Sequence, residues 1–526
     1  MTPRLLPFGD RGILVEVDSL DQVLDLHARL AATRPDGVVD LVPAARTVLV
    51  HVDPRRLSLA AARAWVTRAG AAPAPSGAEP PLVELPIVYD GADLADLAAS
   101  LGVDPVDLAA RHAACEWVVA FTGFAPGFGY LVSAQWPFDV PRRETPRQRV
   151  PVGAVGLAGA FSGAYPRETP GGWQLIGTTT AALFDPDAAS PALLAPGTRV
   201  RFVLPERAPT PVAHRAEPAA DGEALVDVGA GEDPRPPALT VRDPGLLATL
   251  QDQGRPGHAA EGVAAAGAAD RAALRTANRL LGNPETAAGI EITMGGFRAV
   301  ADADLWVVVT GGWGAHLLDG RPLDPYVAQP WPRGAELLVD WLDHGARAYL
   351  AVRGGVVPRT SSPALGSFST DTLSGLGPRP LRAGDVLALA DPRPADAIPP
   401  DDVHPWAPHD DTLEIRLAPG PRADWFEDAP ALFETVWTVS NRADRVGIRL
   451  DGPPLPRARG GELPSEGMLP GAIQVPPDGH PVILGPDGPV TGGYPVVAVV
   501  ADASRDALAQ ARPGTRVRFR HSPGRP

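Results

Sequence analysis

The sequence predicts a mainly β protein with α+β character: a small N-terminal domain of ferredoxin-like type, followed by β-barrel domains that recur in the second half. Three observations support this fold class. Glycines (56) and prolines (62) interrupt short apolar runs, yet 44% of the residues are hydrophobic, which is typical of a folded, loop-rich chain. The first 75 residues alternate strand-like and helix-like patterns, and sequence blocks near residue 150 recur near residue 470. At about 100–200 residues per domain, the length predicts three to five domains.

The segment 1–75 is predicted to be the α+β domain. Strands are expected at 12–17 (GILVEV) and 47–52 (TVLVHV), where β-branched residues dominate. Helices are expected at 20–32 and 57–68, where apolar residues recur every three or four positions. This βαβα alternation indicates a small α+β sandwich.

Proline- and alanine-rich stretches divide the rest of the chain. The segment 205–237 has no apolar periodicity, so we predict a linker there. An amphipathic helix is predicted at 269–281 (ADRAALRTANRLL), ended by Gly282. The remaining domains are predicted at 82–204, 238–397 and 412–522.

An internal repeat links two of these domains. The blocks PVGAVGLAG, TPGGWQLIG and APGTRVRFV of the first half match LPGAIQVPP, VTGGYPVVA and RPGTRVRFR of the second half, in the same order and at similar spacing. Each block combines β-branched residues with glycine turns, as expected of barrel strands joined by tight bends. We therefore predict that 82–204 and 412–522 are two copies of one β-barrel domain.

The composition excludes several kinds of chemistry. No lysine occurs, so all 47 basic residues are arginines. The chain therefore has no Walker-A lysine, no Schiff-base lysine and no covalently bound biotin. The net charge of −15 argues against a nucleic-acid partner. Cys115 is the single cysteine and the eleven histidines show no ligand spacing, so we predict no metal site.

The sequence gives no sign of a membrane protein. No run approaches 18 apolar residues, and the N-terminus lacks the apolar core of a signal peptide. We therefore expect a cytoplasmic protein without membrane contact.

Glycine-rich turns that hold polar residues are the best candidates for a site. In FTGFAPGFGYL (121–131), Gly127 allows a tight turn and Tyr130 would help to form an aromatic pocket wall; an aromatic-packed hairpin is the structural alternative. In LATLQDQGRPG, Gln251, Asp252 and Arg255 form either a polar pocket wall or a turn fixed by an Asp–Arg pair.

Two residues with polar side chains interrupt apolar surroundings. Asn278 lies in the middle of the predicted helix, which favours a hydrogen-bonding role. Glu291 lies between apolar neighbours, where it is either a general acid or base or the partner of a buried arginine.

The turn GSFSTD offers three hydroxyls and a carboxylate, from Ser367, Ser369, Thr370 and Asp371. Such a turn can cradle a phosphate without lysine, and an ST-turn without a ligand is the alternative. Arg445 can bind a carboxylate or phosphate in bidentate fashion, or pair with Asp444 at the surface. The last barrel is expected to complete the wall with four further residues: Ser465, Glu466, Gln474 and Tyr494.

These segments resemble a known family. FTGFAPGFGYL, with the preceding His112 and the later PRQRVPVGAVGLAGAFSGAYPRETPGGWQLIGTT, is similar to subunit 1 of the allophanate-hydrolase-like family, the B component of bacterial ATP-dependent 5-oxoprolinase. The second half resembles the C component of the same enzyme through LGSFSTD, NRADRVGIRL and SEGMLPGAIQVPP. This chain has Phe368 where the family usually has arginine. The resemblance implies cyclophilin-like barrels and adds His112, Gly171 and Gly172 to the substrate- or nucleotide-binding candidates.

The resemblance implies a fused B–C component that opens 5-oxo-L-proline to L-glutamate. ATP and Mg²⁺ would be co-substrates, and a separate TIM-barrel-like A component would complete a hetero-oligomer. Asp252, Glu291 and Glu466 are the predicted catalytic carboxylates. Two alternatives stay open: a carboxyltransferase acting on urea or a related amide, with biotin supplied by a partner, and a non-catalytic module that inhibits a histidine kinase.

Overall fold

The computed structural model describes residues 3–72, 80–204, 235–359, 361–393, 396–398, 412–461 and 463–522. Strands account for 38% and helices for 15% of the structure, which confirms the mainly β class. The predicted linker 205–237 lies outside the described residues except for its last three positions.

The N-terminal domain (residues 3–72) is a four-stranded antiparallel sheet covered on one face by two helices. Its sheet order is β1-β2-β4-β3. In chain order the elements are β1 (Arg4–Phe8), β2 (Gly12–Glu16), α1 (Leu20–Ala32), β3 (Val38–Pro43), β4 (Thr47–Val52) and α2 (Leu59–Ala71). Ser19 and Ser58 cap the two helices, each accepting a hydrogen bond from the third residue after it.

The expected βαβα alternation was wrong in strand number, because β1 and β3 went unrecognised. Both are edge strands, and both contain a proline, Pro7 in β1 and Pro43 in β3. Proline is tolerated at sheet edges because it has no N–H to donate, but it weakens the sequence signal of a strand. The resulting ββαββα order differs from the ferredoxin-like βαββαβ order by placing one strand first instead of last.

The first barrel (residues 80–204) is a curled seven-stranded sheet of order β12-β9-β10-β7-β6-β13-β5, with a small ribbon of β11 and β8 beside it. A bridge between Val88 and Thr178 joins the two ends of the sheet. Its elements are β5 (Leu82–Pro86), α3 (Leu94–Ser100), α4 (Pro105–Ala114), β6 (Glu116–Thr122), β7 (Gly129–Val132), β8 (Arg147–Val150), β9 (Ala154–Ala158), β10 (Phe161–Ala164), β11 (Thr169–Gly171), β12 (Gln174–Thr178) and β13 (Arg199–Val203).

The middle domain (residues 235–398) is built on a ten-stranded sheet dominated by two long strands, β18 and β21. The predicted helix begins two residues later and ends one residue earlier than expected. The elements are β14 (Pro237–Pro244), β15 (Leu247–Gln251), α5 (Arg271–Leu280), β16 (Gly289–Thr293), β17 (Phe297–Ala301), β18 (Leu305–Leu318), β19 (Arg321–Pro322), β20 (Gln329–Trp331), β21 (Glu336–Val352), β22 (Val356–Pro358) and β23 (Val386–Leu389).

The last barrel (residues 412–522) is closed, in the order β24-β31-β28-β29-β26-β25-β32, and a ribbon of β27 and β30 lies beside it. Its elements are β24 (Thr412–Pro419), α6 (Ala431–Glu434), β25 (Val436–Val439), β26 (Gly447–Asp451), β27 (Glu466–Gly467), β28 (Ala472–Gln474), β29 (Val482–Leu484), β30 (Thr491–Gly492), β31 (Val496–Val500), α7 (Asp502–Ala509) and β32 (Arg516–His521).

The two barrels have equivalent strand orders, as the sequence repeat predicts. β5 and β13 pair in parallel in the first barrel, and β24 and β32 pair in parallel in the last. The three repeated blocks supply β9, β12 and β13 in one barrel and β28, β31 and β32 in the other. The repetition of the two halves is therefore confirmed.

The two ends of the chain pack against each other. One face of the N-terminal sheet is covered by α1 and α2, while Phe8, Leu14 and Leu49 on the other face pack against Met468 and Val499 of the last barrel. This contact places the first domain and the last barrel side by side, with a cleft between them.

Candidate functional site

The turn with the three hydroxyls folds around the carboxylate of Asp252. Ser367 and Ser369 each donate from Oγ to Asp252 Oδ1 at 2.6 Å, and the Phe368 N–H donates to Oδ2 at 2.8 Å. The Gly254 N–H donates to Oδ1 at 2.7 Å. The anion that this turn holds is therefore a side chain of the protein, and the donors expected for a phosphate are already bound.

Arg255 holds the same turn through different atoms. Its guanidinium donates to the carbonyl oxygens of Ala364 and Ser369. Three side-chain atoms in this region have no hydrogen-bond partner within the described part of the chain: Gln251 Oε1, Arg255 Nη1 and Thr370 Oγ1. All three residues are at least 98% buried, so solvent does not reach them.

Asp371 and Asn278 have local structural partners. Asp371 accepts from the N–H groups of Leu373 and Ser374 at 2.9 and 3.0 Å, and from the Ser374 hydroxyl. Burial and the nearby charge of Asp487 raise the pKa of Asp371. Asn278 donates to the Ala287 carbonyl at 2.8 Å and thereby holds the loop that follows α5.

Glu291 lies in a buried ion network between the middle domain and the last barrel. Its Oε1 accepts from Arg445 Nη1 at 2.6 Å, and its Oε2 accepts from the Tyr349 hydroxyl at 2.8 Å and the Ala269 N–H at 2.9 Å. Arg445 also donates twice to Asp487, at 2.9 and 2.8 Å. The predicted surface pair with Asp444 does not form, because Arg445 is 3% exposed and points inward.

Electrostatics keep this network ionised. Burial alone would raise the pKa of Glu291, but the charges of Arg445 and Arg347 and its hydrogen bonds lower it below the ordinary value. This is the arrangement expected of the ion-pair interpretation of Glu291 rather than of a proton-transferring group. Asp487 was missed by the sequence analysis because PDG is a common turn sequence and does not suggest a buried carboxylate.

The segment FTGFAPGFGYL forms part of the contact between the two halves of the chain. The Thr122 hydroxyl donates to the Ala260 carbonyl, and the Gly127 N–H donates to the Glu261 carbonyl at 2.9 Å. Gly127 has φ +75°, and a Cβ there would meet Phe184 at 2.8 Å. A side chain at Gly123 would overlap Thr491 of the last barrel. Gly123 therefore allows close approach of the second half, whereas Gly127 allows close packing on Phe184 of its own barrel.

The aromatic residues of this segment stack on each other. Tyr130 lies on Phe121 with ring centroids 4.4 Å apart and contacts Trp173 at 5.5 Å. Gly171 lies where a Cβ would come within 2.5 Å of the Tyr165 hydroxyl, and the Gly172 carbonyl accepts from the Arg143 N–H at 2.9 Å. Of the two interpretations of segment 121–131, this geometry agrees with the aromatic-packed hairpin.

His112 is a buried, neutral histidine of the first barrel. One ring nitrogen hydrogen-bonds the Tyr89 hydroxyl and the other the Ser162 hydroxyl, both at 2.8 Å. Burial lowers the pKa of His112 to about 3. Trp117 and Phe202 pack against the ring, so His112 lies in the barrel core.

Glu466 and Ser465 line the cleft between the N-terminal domain and the last barrel. The cleft has a volume of about 780 Å³. Glu466 Oε1 accepts two hydrogen bonds from Arg422, whose Nη2 also donates to Glu16 Oε1 at 2.6 Å. Glu466 Oε2 has no partner among the residues that the structure describes. Burial raises the pKa of Glu466, Arg422 opposes this, and the charge of Glu16 adds to it.

The other two candidates of the last barrel lie near this carboxylate or at the surface. Glu466 pairs with Gly492 in the β27–β30 ribbon, and Gln474 lies beside Gly492. Tyr494 is 42% exposed. Sequence reasoning missed Arg422, which lies in a loop and gives no periodic signal.

The structure thus distributes the predicted residues over separate places. The first group surrounds Asp252 and includes Gln251, Arg255 and the turn 367–371; the second is the Glu291–Arg445 network; the third is the Glu466 cleft. His112, Gly127, Tyr130, Gly171 and Gly172 belong to the first barrel. Within the described ranges, no group of three or more His, Cys, Asp or Glu side chains is arranged to hold a metal ion. None of the helices in those ranges has the length and apolar character needed to cross a membrane.

Comparison with known proteins divides the chain into two parts, the first ending in the first barrel and the second ending in the last barrel. The family model described as carboxyltransferase domain, subdomains C and D, matches residues 3–194, and the model for subdomains A and B matches residues 261–521. The C component of the 5-oxoprolinase of Escherichia coli K12 is 36% identical over 289 residues, covering 53% of this chain and 90% of that protein. The B component of the 5-oxoprolinase of Escherichia coli O157:H7 is 42% identical over 175 residues, covering 32% of this chain and 78% of that protein.

Two further similarities extend over longer stretches. The urea amidolyase of Lachancea kluyveri is 33% identical over 311 residues, but this stretch is 17% of that protein. The crystal structure of a protein designated TTHA0988 superposes with a TM-score of 0.83 and 37% identity, covering 97% of this chain and 99% of that one. One solved protein therefore has the same four-part arrangement in a single chain.

Proposed function

This chain belongs to the carboxyltransferase-domain family, and we propose that within it the protein is the fused B and C component of an ATP-dependent 5-oxoprolinase. In this proposal it opens 5-oxo-L-proline to L-glutamate together with a separate A component. The supporting observation is that one chain contains counterparts of both the B and the C component, each matched over most of the relative's length.

Contacts between the halves support a single working unit. The B-like segment 121–131 binds the backbone of residues 260 and 261 in the C-like half, and the C-like barrel packs against the N-terminal sheet. When two components that act together are joined in one chain, their association no longer depends on concentration. The contacts between them then also fix their relative geometry.

The proposed reaction needs help from the protein because a lactam is a poor electrophile. Transfer of the γ-phosphoryl group of ATP to the amide oxygen, with ADP leaving, would activate the amide carbon for attack by water. Cleavage of the C–N bond, with the nitrogen taking up a proton, would then open the ring to an acyl phosphate, which a second water would hydrolyse to the carboxylate and phosphate, with ATP and Mg²⁺ as co-substrates. Because the chain has no lysine, arginine side chains, hydroxyls and backbone N–H groups are the donors that we expect to stabilise developing negative charge. The donors of the 367–369 turn are bound to Asp252, so we place no phosphate there.

A reconstitution experiment tests the proposal. The purified chain is mixed with a candidate A component, 5-oxoproline, ATP and Mg²⁺, and glutamate and ADP are measured. We expect both products in equal amounts, and neither when either protein is left out. If a characterised homologous complex works under the same conditions and this mixture forms no glutamate, the proposal is wrong.

The similarity to urea amidolyase favours one alternative, carboxyl transfer to an amide. Since no lysine occurs in the chain, the biotin would have to be attached to a partner. This alternative predicts biotin-dependent carboxylation of urea in the presence of a biotinylated carrier, without release of glutamate from 5-oxoproline.

A further inference from the structure

A short segment of the middle domain, residues 257–262, lies between the N-terminal domain and the first barrel. These two domains form the B-like half, and the segment belongs to the C-like half. Its sequence is GHAAEG, and Ala259–Glu261 form a short turn of 3₁₀ helix. Each domain of the B-like half binds the main chain of this segment at different atoms. The segment is therefore a point where three domains meet.

The N-terminal domain binds the start of the segment through one carboxylate, that of Asp40 on β3. Asp40 Oδ2 accepts from the Gly257 N–H and Oδ1 accepts from the Ala259 N–H, both at 3.1 Å. Asp40 is 6% exposed, so these hydrogen bonds are shielded from water. Hydrogen bonds to an ionised acceptor are stronger than those between neutral groups. A single side chain thus fixes two residues of the segment.

The first barrel binds the next two residues through their carbonyl oxygens. The Thr122 hydroxyl donates to the Ala260 carbonyl, and the Gly127 N–H donates to the Glu261 carbonyl at 2.9 Å. Main-chain donors and acceptors of the segment are therefore matched alternately by the two domains: N–H groups by the N-terminal domain and carbonyl oxygens by the first barrel.

Glycines stand at both ends of the segment. Gly257 has φ +99° and Gly262 has φ +80°, a conformation that residues with a Cβ rarely adopt. A Cβ on Gly262 would also lie 2.6 Å from the Ala125 carbonyl oxygen of the first barrel. Close approach to the B-like half therefore requires glycine at this end of the segment.

We propose that Asp40, Thr122 and Gly127 form a docking surface by which the B-like half recognises and holds the C-like half, and that this hold persists when the chain is cut between the halves. The partner that fits this surface is a glycine-flanked peptide of small residues, recognised through its main chain. The inference goes beyond the proposed function, because it concerns how the halves are held and does not depend on the reaction.

The apolar contact between the N-terminal sheet and the last barrel also joins the halves. It includes Leu14, Leu49 and Met468, and Ala259 of the segment packs against it. Apolar burial is non-directional, whereas hydrogen bonds fix position. The segment 257–262 is also bound by the first barrel, so it ties both domains of the B-like half to the C-like half. Loss of its hydrogen bonds should therefore weaken the hold although the apolar contact remains.

Release of the C-like half from a cut chain tests the inference. A protease site is placed within residues 205–236, and the full-length protein is immobilised by an N-terminal tag on a biosensor and cut there. The loss of bound mass is followed at a urea concentration that leaves the uncut protein folded. We expect slow release from wild type, release at least tenfold faster in Asp40→Ala and about fivefold faster in Thr122→Val, and the wild-type rate in Thr122→Ser. Asp36→Ala and Thr67→Val are controls, because both residues are exposed and lie outside the contact.

A glycine pair tests the other side of the contact. Gly262→Ala should speed release, because its Cβ would press on the Ala125 carbonyl oxygen. Gly384→Ala is the matched control, since Gly384 has φ +89° and a Cβ there would meet no atom within 4 Å. This pair also removes the dependence on Asp40, which lies 4.0 Å from His51 and so has a second neighbour in its own domain.

Three results would overturn the inference. The first is immediate release of the C-like half from the cut wild type. The second is a wild-type rate in Asp40→Ala, Thr122→Val and Gly262→Ala alike, since the apolar contact would then hold the halves without the docking surface. The third is equal acceleration by Gly262→Ala and Gly384→Ala. The assay contains no substrate, so its result leaves the proposed reaction to be judged by the reconstitution experiment.

Discussion

Two buried glutamates of this chain have opposite surroundings. Glu291 is 1% exposed, and both of its carboxylate oxygens are hydrogen-bonded, to Arg445 on one side and to Tyr349 and Ala269 on the other. Glu466, which lines the cleft, is equally buried, but only its Oε1 has a partner, Arg422; its Oε2 has none among the described residues. The pKa of Glu291 is lowered and that of Glu466 is raised.

The difference distinguishes a structural carboxylate from a candidate functional one. A buried charge whose partners are all protein groups is fixed in place and joins the elements that supply those partners. A buried carboxylate with one unpaired oxygen keeps an unmet hydrogen-bonding capacity, and its raised pKa favours the protonated form more than in an exposed glutamate. Sequence alone made these two residues equal candidates for catalysis.

The largest effect is expected from breaking the Glu291 network. Arg445→Ala would leave Glu291 and Asp487 buried without the cation that joins them, and such a loss typically destabilises a protein by about 3–5 kcal/mol. A large drop in the midpoint of urea unfolding would measure it. Arg520→Ala is the matched control, since the Arg520–Glu414 pair is exposed and screened by solvent, so its loss should change the midpoint little. Equal effects of the two substitutions would contradict the assignment.

The substitution Glu291→Gln keeps the shape of the side chain, and we expect it to lower the free energy of unfolding by less than Arg445→Ala does. The amide oxygen can still accept from Arg445, but the NH₂ group would then face the Ala269 N–H, which is also a donor. Arg347, 3.4 Å from Glu291, also loses a countercharge. We expect a destabilisation of about 1–3 kcal/mol, measured by urea unfolding at pH 7. No measurable change would show that the network does not depend on the Glu291 charge.

His112 extends the comparison to a buried group that stays neutral. Its pKa is about 3 in the folded protein, below the usual value, so the unfolded chain takes up a proton at a higher pH than the folded one. The His112 contribution to stability is therefore complete above about pH 6.5 and is lost as the pH falls toward 3, by up to about 1.4 kcal/mol per pH unit.

The substitution His112→Gln should remove this contribution to the pH dependence. Urea midpoints measured between pH 7 and pH 4 should fall less steeply in His112→Gln than in wild type. Ser162→Ala is the control, because it removes one hydrogen bond of His112 and keeps the imidazole. It should lower the midpoint at every pH and leave the slope as it is. Identical slopes for wild type and His112→Gln would contradict a neutral buried histidine.

Much of the fold could be predicted from local patterns. The repeated blocks mark equivalent barrel strands because glycine turns and β-branched runs are local features. The apolar spacing of 20–32 predicts α1 with the correct bounds. The edge strands β1 and β3 were missed because Pro7 and Pro43 resemble strand breakers when their edge position is not known.

The sites depended on contacts that no local pattern records. Arg445 pairs with Glu291, 154 positions away, and Glu466 lines a cleft together with Thr47 of the first domain. From the sequence, the GSFSTD turn could hold a phosphate or be an ST-turn without a ligand, and neither interpretation shows that its hydroxyls donate to Asp252, 115 positions before Ser367. Residue type therefore identified charged and polar candidates, and only the tertiary structure shows which of these side chains have partners within the protein.

The substitution Glu466→Gln should have the smallest effect on stability. It also gives the most direct comparison of the two glutamates, because Glu291→Gln makes the same change at the other one. In Glu466→Gln the NH₂ group would occupy the position of Oε2, which has no donor facing it in the described structure, while the amide oxygen still accepts from Arg422. Because the pKa of Glu466 is raised in the folded protein, the ionised carboxylate lowers stability as the pH rises past the unfolded value, and glutamine removes this penalty. At pH 7 we expect Glu466→Gln to be within about 1 kcal/mol of wild type or slightly more stable, against the clear loss in Glu291→Gln. Urea unfolding of both variants side by side measures the contrast, and an equal loss in the two would show that Glu466 is a structural carboxylate like Glu291.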